Sequence, residues 1–434
     1  MIETATNVPA QRETSAVKYA CVLLIFSCIV LLPFHRLVEI PVLVMAAAGI
    51  VVLVRHRTEL LLWPQMRTLS LVFAAMWLPI VISLPDAINP ERTAVVAINH
   101  LRFFFSAVFM IWVLADARAR SFLLTLVGCL LAFWLIDAGV QALLGVDLLG
   151  REKAGAHISG LYGPTSRKLG TTLGVIAPLL WVFVQCRFNA WLLLAVMLAS
   201  ALVVMAAGAR AGWLSLLVCA CVFVWFNRGY IRALQPGLLA SAALLVLLLP
   251  VFAYFTSPTF QARLDESVGE LSGQVDIQSS PLGHRAYIWK GAALMIADNP
   301  INGVGARGFR YAFADYAAPG DPFVAQVPPV LPMHSHQLLI EITAETGLIG
   351  LVGLLLALGV MLRSAWLASP QVRAEIMPYG IALCAAFFPL NTHLAIYSAH
   401  WSQIVWWLIG VFCACLAAAS ASADRAPSNQ HGRA

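Results

Sequence analysis

Residues 327–350 read VPPVLPMHSHQLLIEITAETGLIG. His334 and His336 stand one residue apart where a proline-rich run meets an apolar stretch. Three kinds of chemistry use such a pair: a metal site, a general base, or a polar helix cap. Pro328, Pro329 and Pro332 hold the chain extended up to Met333. The pattern predicts a helix beginning near Ser335, with Ser335 as its N-cap. On that helix Gln337, Glu341 and Glu345 recur at four-residue spacing, a polar stripe entering an apolar run. Carboxylates inside a membrane helix face a cavity or a partner, and Arg210 or Arg285 is the natural partner. The N–H groups and dipole of a helix start favour an anion and disfavour imidazolium. A histidine placed there stays neutral and can accept a proton. Zinc needs two or more further ligands. Glu341 lies over a turn away, and His157, His284, His393 and His400 are scattered, so no metal is expected.

The elements that must carry these residues follow from composition. The chain has 434 residues, of which 61% are hydrophobic and 11% charged, with a mean hydropathy of +0.84. Those values exclude an ordinary soluble enzyme and point to an all-α polytopic membrane protein. Alternation over strand-length units is missing, which argues against a membrane β-barrel. Lipid leaves helices as the way to satisfy the backbone. About twelve apolar runs approach the roughly 20 residues a span requires. All nine cysteines lie in or beside apolar runs, so no disulfide scaffold or cysteine metal site is expected outside the membrane.

The short connections around residues 55–57, 116–120, 227–232 and 363–373 are basic and alternate with the other set of loops. The positive-inside rule makes them cytoplasmic. The expected organisation is a cytoplasmic tail (1–18), nine spans with short loops (19–255), a large, partly helical loop on the opposite face (256–335), three more spans (336–419) and a cytoplasmic tail (420–434). The outer face still carries Arg92, Arg102, Arg151, Lys153, Arg167, Lys168, Arg210, Arg263, Arg285, Lys290, Arg307 and Arg310. A basic load that resists the topology bias suggests an anionic ligand, although long loops often escape the rule. Arg210 is the sharper case, because it sits between two spans joined by almost no loop. An arginine at a membrane edge snorkels or finds an anion. Gly208 and Gly212 beside it admit a close neighbour.

Within the large loop, residues 284–300 (HRAYIWKGAALMIADNP) place Ile288, Ala292 and Met295 at helical spacing. This reads as an amphipathic helix along the membrane surface, ended by Asn299-Pro300. Arg285 and Trp289 are four apart and share a face; an interfacial anchor is the plain role for Trp289. Next, NGVGARGF matches G-x-G-x-x-G through Gly303, Gly305 and Gly308. As a dinucleotide fingerprint it fails, for no strand precedes it and no βαβ unit surrounds it. A glycine-lined turn touching substrate or membrane remains.

These pieces resemble a known family. His336-Gln337, nine residues, then Gly347-Leu-Ile-Gly350 is similar to the outer-loop histidine motif of bacterial O-antigen ligases. Arg285-x-x-x-Trp289, NPINGVGARGF and HISGLYGPTSRKLGTTLG (157–174) resemble the same family and the related O-antigen polymerases. The motifs cover residues 150–350 and the hydropathy the whole chain. Two departures stand out: Gln337 where Asn or Ser is commoner, and Thr-Ser-Arg at 165–167 where relatives often carry Asn.

The resemblance implies about twelve spans in the bacterial inner membrane, with the large loop at 256–335 periplasmic and a site on that face. It implies transfer of O-antigen from undecaprenyl diphosphate to the lipid A-core oligosaccharide, with no cofactor, membrane lipids as surroundings and no nucleic-acid partner. The family's functional histidine falls on His336, and two of its arginines on Arg210 and Arg285. Arginine suits phosphate because its planar fork binds two oxygens at once. Arg102, Arg151, Arg167 and Lys168 are further candidates for the diphosphate or the anionic core, and Tyr162 for stacking on a sugar. Trp289, Arg307, His334, Gln337 and Glu341 complete the expected substrate-binding set.

Overall fold

The computed structural model describes residues 15–153, 157–164, 166–232, 234–272, 281–326, 328–392 and 395–419. Most of the expected N-terminal tail, all of 420–434, and His393 lie outside the described residues. The helices run α1 (Ser15–Val30), α2 (Glu39–Leu60), α3 (Pro64–Ile82), α4 (Pro90–Val113), α5 (Ala117–Leu144), α6 (Lys168–Arg187), α7 (Ala190–Ala206) and α8 (Arg210–Phe226). They continue as α9 (Arg228–Arg232), α10 (Pro236–Thr256), α11 (Pro258–Ser272), α12 (Pro281–Asp298), α13 (Phe309–Tyr316), α14 (Leu338–Leu367), α15 (Pro370–Ala386) and α16 (Ala399–Cys415). Among the described residues no strand forms, and one β-bridge, Val146 to Glu152, closes a hairpin after α5.

Among the described residues, six helices (α2 to α6 and α14) are long and apolar enough to cross a membrane, and α1, α7, α8 and α16 are shorter apolar helices. The chain is therefore an all-α, multi-pass membrane protein. α16 is buried from Trp401 to Cys415, and α6 from Leu169 to Val184. A helix apolar and covered on every side lies inside the bundle. α6 meets α8 where Gly170 and Gly174 face Gly212; a Cβ on Gly212 would come 2.6 Å from the Gly170 carbonyl oxygen. Small residues let helix backbones approach this closely, so the room beside Arg210 is taken by a helix.

α14 is one apolar run in sequence and two helical pieces in space. Gly347 breaks it at φ 66°, ψ −168°, a conformation that favours glycine. The turn after α12 fills the break. Leu348 donates its N–H to the Pro300 carbonyl at 2.8 Å, Ile349 to Ile301 at 3.3 Å, and Val304 to Ala344 at 2.9 Å. The backbone groups freed by the break are thus satisfied by protein, as apolar surroundings require. The glycine-lined turn therefore seats against α14, which gives Gly303 and Gly347 a common purpose.

Candidate active site

α14 begins two residues later than the pattern predicts. Gln337, not Ser335, is its N-cap, and its Oε1 accepts the Ile340 N–H at 2.5 Å. Ser335 instead donates its hydroxyl to the Gln337 carbonyl at 2.9 Å. His336 between them adopts a left-handed φ of 53°. That conformation costs an ordinary side chain roughly 1–2 kcal/mol, and such strained residues cluster at functional sites. Two contacts over-determine it. Trp289 donates its indole N–H to the Ser335 carbonyl at 3.0 Å, and Gln337 donates Nε2 to the Pro389 carbonyl at 2.7 Å.

α12 forms as its spacing predicts, with Ile288, Ala292 and Met295 buried against Phe309 and Phe313 of α13 and Ala344 of α14. It ends at Asp298, before Asn299-Pro300. Its first turn presents Arg285 towards His336. Burial, first, and the Arg285 charge, second, hold the His336 imidazole below its usual pKa, while a hydrogen bond to the Thr392 backbone works the other way. The His334 and His336 rings lie 4.0 Å apart between centroids. A half-buried imidazole kept neutral beside a guanidinium can take a proton from a hydroxyl and hand it on.

Below His336, Glu341 and Glu345 are fully buried. The expected pairing with Arg210 or Arg285 is not what forms. Glu345 Oε2 accepts the backbone N–H of Arg307 at 2.7 Å. Arg307, at φ 64°, is held in the left-handed region by the seated turn. Arg210 instead donates to the Glu266 carboxylate at 3.0 Å and the Ser267 hydroxyl at 2.9 Å, both on α11. Arg263 shares that carboxylate at 2.8 Å. Burial, then Arg167 and Arg263, hold the His157 imidazole below its usual pKa, which places the end of the 157–168 stretch beside the same cluster. Lys168, half-buried, opens α6 there.

The remaining candidates stand elsewhere. Arg102 pairs with Glu39 at 2.7 Å, and Gln403 of α16 donates to the same carboxylate at 2.9 Å. Arg151 donates its guanidinium to the Leu161 carbonyl and lies over the Phe34 ring. Tyr162 is buried against Trp134 and His400 rather than displayed to a sugar. Among the described residues no group of three His, Cys, Asp or Glu side chains could hold a metal ion.

An apolar cavity of about 560 Å³ opens beside α7, α8 and α10. Met197, Ala201, Leu217 and Pro250 line it, with Trp213 and Phe260 at the end near Arg210. Arg210 and Arg263 each stand three residues along the chain from a lining residue, Trp213 and Phe260, so the charged cluster adjoins an apolar cleft.

Fold and site together define a multi-pass membrane protein with a polar, histidine-bearing face. Residues 194–355 match the family model described as O-antigen ligase. That match supports membership of the family, which covers ligases and polymerases, membrane glycosyltransferase-like enzymes acting on lipid-linked polysaccharides. No curated protein matches the chain. The matched segment runs from α7 into α14 and contains Arg210, Arg285, Trp289, Arg307, His336 and both buried glutamates.

Proposed function

We propose that this chain is an O-antigen ligase. It moves the glycan from undecaprenyl diphosphate to the lipid A-core oligosaccharide at the periplasmic face of the bacterial inner membrane. The reading includes about twelve spans, a periplasmic loop at 256–335, and both tails in the cytoplasm. The observation that carries it is the conformationally pinned His336 at the start of the broken helix α14, with the Arg285 charge acting on its ring.

In this account the carrier's isoprenoid chain occupies the apolar cleft beside α8, and its diphosphate reaches Arg210 and Arg285. Guanidinium groups aimed at the diphosphate stabilise charge as the leaving group departs. His336 removes the proton from the acceptor hydroxyl. The hydroxyl oxygen forms its bond to the anomeric carbon as the bond from that carbon to the diphosphate oxygen breaks. Attack opposite to departure inverts the anomeric centre. The diphosphate leaves on its carrier, and His336 returns its proton to solvent. The diphosphate already activates the sugar, so the step needs no nucleotide.

A polymerase performs the same chemistry with a growing glycan as acceptor, and the shared motifs keep that reading beside the first. Deleting the gene separates them. Loss of a ligase leaves bare core and long polymer stranded on the carrier, whereas loss of a polymerase leaves cores capped by single repeats. A transporter would move lipid-linked glycan across vesicles without making a glycosidic bond.

A further inference from the structure

The turn that fills the break in α14 also assembles a second group of cations. Ile88 donates its N–H to the Val304 carbonyl at 3.0 Å. The Thr93 hydroxyl donates to the Ala306 carbonyl at 3.2 Å. Gly305, at φ 90°, lies so close to Ala87 that a Cβ would come 2.4 Å from the alanine methyl. These contacts fix the first turn of α4 against residues 304–307 and bring Arg92 beside Arg307 and Arg310. Each of Arg307 and Arg92 bears electrostatically on Arg310.

None of these three guanidinium groups makes a hydrogen bond or ion pair among the described residues. Nε of Arg307, and Nε and Nη2 of Arg310, are buried and unpartnered. Glu345 stands near, but the bond it accepts here comes from the Arg307 backbone. Burial and the two neighbouring arginines lower the Arg310 pKa against the opposing pull of Tyr311 and Glu345, so like charges are held together with partial relief. Buried donors left unmade are costly, and an anion removes both the repulsion and the unmet donors.

We propose that Arg92, Arg307 and Arg310 form a second anion site, which binds a phosphate or carboxylate group on the acceptor glycolipid. The site is separate from the donor's. Glu345, which accepts the Arg307 N–H, lies seven residues along α14 from its first residue, Leu338, roughly 10 Å at the helical rise. The two sets then hold donor and acceptor on either side of His336. The assignment to the acceptor rests on the proposed transfer reaction; the anion site itself does not.

The test uses the full chain in lipid nanodiscs, with Arg92→Gln, Arg310→Gln and the double variant, and Arg→Lys at both positions as folding controls. Transfer is measured with core glycolipid bearing its phosphates and with the same glycolipid after dephosphorylation. The acceptor KM should rise about tenfold in the double variant, the scale of one lost charge-assisted contact. The donor KM should move far less, and dephosphorylating the acceptor should reproduce the effect in wild type while adding little in the variant. The Lys variants should recover part of the affinity. A rise in donor KM with an unmoved acceptor KM overturns the proposal. A second arm follows melting temperature against inorganic phosphate, and the double variant should lose much of the stabilisation seen in wild type. If wild type transfers nothing to this glycolipid, the ligase reading fails, and the phosphate arm still decides the site. Equal stabilisation of wild type and double variant overturns the anion site.

Discussion

Trp289 holds the carbonyl of Ser335 through its indole N–H at 3.0 Å. The bond ties the helix that carries Arg285 to the residue preceding the candidate base. It makes Trp289 a positioning residue rather than only a membrane anchor. Trp289→Phe keeps the apolar contacts and removes the donor. It should lower kcat by about tenfold or more, since small displacements of a reacting group are expensive. Donor and acceptor KM should change less. Steady-state kinetics on the reconstituted protein check this, and a variant that alters KM alone would show the bond to be merely structural.

The pH profile reports on Arg285. A general base works in its neutral form, so activity falls as pH drops through the His336 pKa. Burial and the Arg285 charge keep that pKa low and extend activity to lower pH. Arg285→Gln removes a cation, which raises the pKa and moves the acidic limb of the profile to higher pH. The limb should shift in kcat as well as fall in amplitude. A profile of unchanged shape would separate Arg285 from His336.

Arg210 is held by Glu266 in this structure, and a diphosphate must compete for it. Glu266→Gln removes the competing charge and should lower the donor KM by up to about fivefold, the scale of a partly exposed ion pair. Arg210→Gln should raise it. The two variants compared in lipid-linked donor titrations give the sign directly.

Gly347 tests the joint between the two motifs. A Cβ there would come 1.9 Å from the Ile301 carbonyl oxygen, at a φ that disfavours any side chain. Gly347→Ala should destabilise the protein by about 3 kcal/mol, combining backbone strain with overpacking. Thermal denaturation in detergent measures it. Gly359, whose Cβ would meet nothing within 4 Å, is the control that should tolerate the same change.

Much of the scaffold is legible in the residues because its signals are local. The helix α12 shows in the spacing of Ile288, Ala292 and Met295, its end in Asn299-Pro300, and the turn before α8 in Gly208. The break in α14 is not legible, for residues 338–367 read as one apolar run. What interrupts it is a turn formed some forty residues earlier, roughly a loop's length away in the sense of non-local contacts. Ser335 reads as an N-cap because its type suits one, yet Trp289 claims its carbonyl and Gln337 takes the cap. Arg92 and Arg310 are visible only as part of a basic outer face. Their meeting depends on a bond between Thr93 and Ala306, which no local pattern announces. Tyr162 has the right type for a sugar platform, but the bundle has buried it.

The most direct test of the account combines purified protein, undecaprenyl-diphosphate-linked glycan and lipid A-core glycolipid in one vesicle assay. Wild type should form the glycosylated core at the same rate with and without a chelator. His336→Ala, inserted and folded as wild type, should lose about 100-fold or more of that rate, the scale of a general base. Full-rate transfer by His336→Ala would contradict the account.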